Sequence, residues 1–246
     1  MFLSLDIFVP VSKTSRPAAR VSKLPPAEEV SGDEDLTRSQ SPGDDSSQPT
    51  SKSEKTKEFI RKQAAPLFNK QGFAGTSLGD LTNATGLTKG ALYGNFKDKD
   101  GIALEAFAYS MNKVRTIMKS RVDALTTNKE KLFGLLDFFG EYVMHPPIPG
   151  GCPMMNYGVD ADDHQKFMRK PVAREMKATM DFIQLCLVKG IRTNEFKTAT
   201  NTVAIAQVIF CSIEGAIVVS RVTGSPAPMT AVVAHCKSVL DQLSCS

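Results

Sequence analysis

From residue 54 onward, short polar stretches separate runs in which apolar residues return every three or four positions, the repeat of helices that bury one face. Phe59, Ile60, Ala64, Leu67 and Phe68 define the first run, over 54–70. Pro66 falls inside it and predicts a kink or local break, because its ring removes the hydrogen bond to the carbonyl of Lys62; Gly72 then ends the helix. Two short helices follow. Ser77 is placed to cap the first, with Asp80 three residues on completing a short capping box and Leu78, Leu81 and Ala84 at helical spacing. At Thr85, Gly86 and Leu87 the glycine allows the positive φ that a sharp reversal between helices needs. The second short helix begins at Thr88, with Leu92 facing inward.

The rest of the chain reads as longer helices. Ile102, Leu104, Phe107, Met111, Val114 and Met118 form a stripe over about 97–125, and Phe133, Phe138, Phe139 and Tyr142 enrich the run 129–144. Four prolines and two glycines in the stretch from His145 to Asn156 preclude a regular helix at its start. A helix is expected to begin at Asp160 or Asp163 but to be interrupted at Pro171, with a clear run over 172–190. Two strongly apolar helices, about 198–222 and 228–243, close the chain. The pattern predicts an all-α protein with helix-turn-helix grammar near its start.

The second short helix presents Lys89, Gly90, Ala91, Tyr93, Gly94 and Asn95, which are small, polar or basic. Such a face suits a helix entering a major groove about 12 Å wide, where small side chains permit close approach and amides and lysines meet base and phosphate acceptors. Phe68, Gly72, Phe73, Thr76, Ser77, Leu78, Asp80, Leu81, Ala84, Gly86, Leu87, Lys89, Gly90, Leu92, Tyr93, Phe96, Lys99 and Leu104 together resemble the DNA-binding signature of the TetR family of bacterial transcriptional regulators. The resemblance implies a helical homodimer with a helix-turn-helix domain over 54–100 and an effector-binding and dimerisation bundle over 101–246. It further implies that Thr88 to Asn95 meet bases and sugars, that Thr76, Ser77, Tyr93 and Lys99 contact backbone phosphates, and that the helices near 198–222 and 228–243 pair with those of a second copy. A small-molecule effector would then release the protein from its operator. A helical binding module with an idle helix-turn-helix is the alternative.

Charge sharpens this picture. Of the 246 residues, 52–121 carry thirteen Lys/Arg against six Asp/Glu, 1–51 carry five against eight, and 122–246 carry twelve of each. The basic excess thus sits on the segment with the helix-turn-helix, as neutralisation of phosphates requires. Residues 31–53 contain almost no apolar side chains, so 1–53 is expected to be a disordered extension. No uninterrupted run of about 18 apolar residues occurs, which argues against a membrane span. Five scattered cysteines without paired spacing indicate a reducing, cytoplasmic setting, with neither a disulfide framework nor a zinc site.

Catalytic chemistry finds no support in the residues. His145, His164 and His235 are far apart in sequence, and Gly150 and Gly151 lack the Lys-Ser/Thr of a phosphate loop. No enzyme activity, metal or cofactor is expected. Phe107, Met111, Phe138, Tyr142, Met155, Tyr157 and Phe182 are candidates for the lining of an effector pocket, as apolar sites require, though a core would use the same residue types. Cys152, beside two methionines, is a further candidate for that lining; no basic neighbour in sequence lowers its pKa, which favours simple packing.

Overall fold

The computed structural model describes residues 51–245, and these form helices α1 to α9. Of the expected N-terminal extension, residues 1–50 lie outside the described residues, and Ser51 to Ser53 already cap and open α1.

α1 (Lys52–Gly75) starts where Ser51 Oγ accepts the amide of Glu54 at 3.2 Å. Ile60, Ala64 and Phe68, four residues apart, are buried in the core. The helix runs on through Pro66, contrary to the expected break there. The departure comes at Gly72, with φ 70° and ψ 175°, a region closed to residues with a Cβ. A single turn follows, and the hydroxyl of buried Thr76 donates to the Gly72 carbonyl at 2.8 Å. The kink is therefore a property of a glycine that other helices hold in place, and proline is accommodated because only one ladder bond is lost.

α2 (Leu78–Thr85) and α3 (Lys89–Asn95) form the expected pair. Ser77 and Asp80 make the capping box, and Gly86 takes φ 67° at the reversal. Leu81 and Leu92 are completely buried beneath the two helices. Ala84, expected at an apolar position, is exposed; Thr85 takes the inward place and satisfies its hydroxyl on the Leu81 carbonyl at 2.7 Å.

α4 (Lys99–Val122), capped by Asp98, packs along α1 at its start and against α5 (Asn128–Tyr142) and α7 (Lys166–Arg192) further on. α6 (Pro153–Asp163) begins earlier than the sequence suggests, because Pro153 occupies the first helical position, where a missing N–H costs nothing. α7 likewise continues through Pro171, six residues into the helix. α8 (Thr202–Thr223) and α9 (Ala227–Leu243) pack on α7 and α5 respectively and on each other. α8 is long and apolar enough to cross a membrane, with mean hydropathy 2.0, although its sequence is interrupted by Glu214. That carboxylate and one face of α8 are buried among the other helices, and the opposite face is exposed. No strand occurs among the described residues; a lone bridge joins Phe196 and Ser244.

Candidate nucleic-acid interface and ligand cleft

α3 owes its position to two inward anchors, Leu92 and Phe96, which leave the opposite face uncovered. Lys89, Gly90, Tyr93 and Gly94 are exposed there, with Tyr93 at 43%. A Cβ added at Gly94 would meet nothing within 4 Å, so glycine at that position clears space on the outside of the helix. Thr88 is exposed and caps α3 by accepting the Ala91 amide at 3.2 Å. Ala91 and Asn95 are half-buried, and Asn95 Nδ2 donates to the Ala91 carbonyl at 2.8 Å. Ser77 is exposed, engaged with Asp80 through its hydroxyl and amide; these bonds, the hydroxyl's above all, hold the Asp80 carboxyl below its usual range.

Two of the expected phosphate contacts do other work. Thr76 is fully buried and its hydroxyl closes the α1 kink, so its side chain is not on the surface. Lys99 Nζ donates to the Phe73 carbonyl at 2.6 Å and lies 4.2 Å from the centre of the Phe73 ring. Desolvation there lowers the Lys99 pKa; the lysine ties the start of α4 to the turn after α1.

That turn is gripped from the other side as well. The Phe73 amide donates to Asp160 Oδ2 at 2.9 Å, and Phe73 meets Phe167 edge to face at 5.3 Å. Buried Asn69 donates to the carbonyls of Pro149 and Gly151, each at 3.0 Å, while Asn156 Nδ2 donates to the Asn69 carbonyl at 2.8 Å and to its side-chain oxygen at 3.0 Å. The irregular stretch before α6 is thus a clasp on the last turns of α1. Sequence reading treated its prolines and glycines as punctuation and missed this partner, because Asn69 pairs across about eighty residues.

The expected pocket residues do not converge. Met111 and Phe182 line a cleft of about 280 Å³ between α4, α5, α6 and α7, together with Val114, Met118, Phe139, Met154, Ala178 and Thr179. Arg115, Lys119, Asp123 and Glu175 add charge to its wall. Phe107 instead packs on Tyr157 with ring centres 5.0 Å apart, and Phe138 on Phe139 and Tyr142, all in the core. Cys152 and Met155 line a separate hollow of about 140 Å³ beside Ile217 and Arg221. Periodicity selected an apolar stripe, and a core and a cleft share it. Val114 and Met118 lie on the same stripe as Met111 and were in reach of the sequence; Arg115 and Glu175 were not, since only folding brings them together.

Cys152 is buried and precedes α6 without capping it through its side chain, since its thiol donates to Glu214 Oε1 at 3.1 Å. Burial above all, with the neighbouring Glu214 carboxyl, pushes the thiol up, so it stays protonated, in keeping with the packing role. Glu214 is itself pushed up to about 7 by burial, and its Oε2 and the Tyr142 hydroxyl are buried without a protein partner. The one acidic residue in the apolar α8 was the sequence signal for this pair. All five cysteines are free thiols, and His145, His164 and His235 are exposed. No cluster of metal-ligating side chains occurs among the described residues.

Comparison with known proteins gives a consistent result. Residues 60–106 match the family described as bacterial regulatory proteins, tetR family, and residues 129–236 match the tetracyclin repressor-like C-terminal domain. The HTH-type transcriptional regulators YerO of Bacillus subtilis and AcrR of Shigella flexneri are 42% and 38% identical over 65 and 61 residues, each covering 25% of this chain. The chain matches only 22% and 28% of the length of those two proteins. The HTH-type transcriptional repressor DhaR of a Mycobacterium species is 22% identical over 177 residues, 70% of this chain and 86% of its own. Among solved structures, CifR, a TetR-family regulator complexed with a 26 bp operator duplex, shares the fold at TM-score 0.67 and 19% identity, over 74% of this chain and 94% of its own. A TetR-family transcriptional regulator from Cytophaga hutchinsonii superposes at TM-score 0.75 with 33% identity, covering 81% of this chain and 100% of its own. A paired helix reader on an all-helical bundle, matched over the whole of such a relative, establishes that the chain belongs to the TetR family of transcriptional regulators.

Proposed function

We propose that the protein is a sequence-specific DNA-binding repressor that acts as a homodimer in the cytoplasm and leaves its operator when a small molecule enters the cleft between α4 and α7. The exposed face of α3, which presents Lys89, Gly90, Tyr93 and Gly94, is the observation that carries this reading. The outward residues between Thr88 and Asn95, Leu92 excepted, meet the major groove, while Ser77, Tyr93 and Lys89 approach phosphates. The operator-bound structure of CifR and the repressor name of DhaR support the same direction.

Dimerisation is supported by the outer face of α8. Val208, Cys211, Gly215, Val218, Val219 and Val222 return every three or four residues and are all exposed, with Val222 at 82%. An apolar stripe of this kind loses little by meeting its own symmetry mate, and with α9 it makes a four-helix contact. Coupling between cleft and reader follows α4, whose far end walls the cleft and whose start is tied to Phe73 through Lys99. A ligand preferring one placement of α4 shifts the distance between the two α3 helices by its differential affinity.

The test is a fluorescence-anisotropy titration against a duplex recovered by selection, at several salt concentrations. Lys89→Ala is expected to weaken binding and lower the slope of log affinity against log salt by about one. Tyr93→Ala is expected to weaken binding several-fold, about 1 kcal/mol for one lost hydrogen bond. Unchanged affinity and slope in both variants would remove α3 as the reader.

A further inference from the structure

We propose that the α4–α7 cleft takes a lipophilic cation, which replaces Arg115 as the partner of Glu175; this assignment of class rests on the cleft being the effector site. The argument turns on unequal burial. Arg115 and Glu175 are joined at 2.5 Å, yet the Glu175 side chain is 11% exposed whereas the Arg115 side chain is 51% exposed. Glu175 is thus fixed in the wall and Arg115 lies half in solvent, able to swing out and regain hydration.

A cation arriving in the cleft leaves Glu175 paired and frees Arg115 into water, so no buried charge is stranded. An anion drawn to Arg115 does the reverse, leaving the carboxylate of Glu175 short of its partner in a poorly hydrated site, which is strongly unfavourable. Lys119 and Asp123, the other charged groups on the wall, are already paired with each other. Arg174 also approaches Glu175, at 3.6 Å, but its side chain is 76% exposed and does not line the cleft, so it contributes little there. The apolar wall favours the same class: Phe139 and Phe182 offer aromatic surface to a cation, and Met111, Met118 and Met154 are polarisable and adaptable.

The exchange has a mechanical consequence. Arg115 to Glu175 is the one ion pair joining α4 to α7 among the described residues. Its replacement removes the ionic tie of α4 to α7, while Arg121 and Glu141 still hold α4 to α5.

Calorimetric titration of the full chain with three probes decides the matter: a phenylbutyl body ending in trimethylammonium, hydroxyl or carboxylate. The ammonium is expected to bind roughly tenfold more tightly than the alcohol, with the carboxylate weakest. Glu175→Gln is expected to erase that preference while retaining alcohol binding. Arg115→Gln, which removes the competing cation, is expected to strengthen ammonium binding. Ala178→Trp, which fills the cleft, is expected to block all three. Equal affinities, preference for the carboxylate, or a preference that survives Glu175→Gln would overturn the cation assignment and leave the effector cleft standing. Absence of binding by all three probes, or binding untouched by Ala178→Trp, would overturn both.

Discussion

At the scale of single residues, Glu214 has the clearest effect on stability. Burial raises it from an ordinary value of 4.5 to about 7, so the folded chain keeps a proton that the unfolded chain gives up between those values. The Glu214 contribution to stability is therefore greatest at the acid end of this interval and falls as pH rises from about 4.5 to about 7, by about 3 kcal/mol in total. Glu214→Gln, neutral throughout, is expected to flatten the dependence and to melt above the parent protein at pH near 8. Calorimetric melting of both proteins across that range checks this, and parallel curves would exclude Glu214 as the source. The same scale shows the limit of reading residues in isolation. Lys89 and Tyr93 were legible as surface because α3 is short and its inward positions are plain. Thr76 and Lys99 were not, since their partners, the carbonyls of Gly72 and Phe73, belong to a kink that the sequence does not announce.

At the scale of elements, turns and caps were more legible than proline. Ser77, Asp80 and Gly86 act locally, each on a partner within four residues, so their chemistry is written in the sequence and α2 and α3 fall where it puts them. Pro66, Pro153 and Pro171 depend on what surrounds them. Packing of α1 against α4 and of α7 against α6 holds each helix together across one missing bond, and Pro153 starts a helix rather than preventing one. The break in α1 is instead held at Gly72, where a Cβ would lie 2.8 Å from Asp160 Oδ2. Gly72→Ala is accordingly expected to lower stability by about 3 kcal/mol, from strained backbone and from the displaced Asp160. Urea denaturation measures it, and a loss below about 0.5 kcal/mol, the usual size for a neutral surface change, would show that the kink is not demanded by this contact.

At the scale of the whole molecule, the first three helices are tied to the longer ones by α1 along α4, by Lys99 on Phe73, by Asp160 and Phe167 on Phe73, and by the Asn69 clasp on the stretch before α6. The charge distribution set the basic segment 52–121, which carries the helix-turn-helix, apart from the rest of the sequence, because phosphate binding imposes a composition. The attachments were not legible, because they are carbonyls and amides meeting over long sequence separations, and the cleft was hidden because its apolar lining uses the residue types of the core and its charged groups meet only on folding. Two copies joined through α8 would present two readers to half-sites one helical turn apart, about 34–36 Å. The most direct measurement is therefore selection of bound duplexes from a randomised library in the presence of excess nonspecific DNA, followed by sequencing. Enrichment of an inverted repeat, with half-sites spaced near one helical turn and affinity falling steeply with salt, is the expected result. Recovery of no common sequence, with all binding lost to the competitor, would contradict a sequence-specific dimeric regulator.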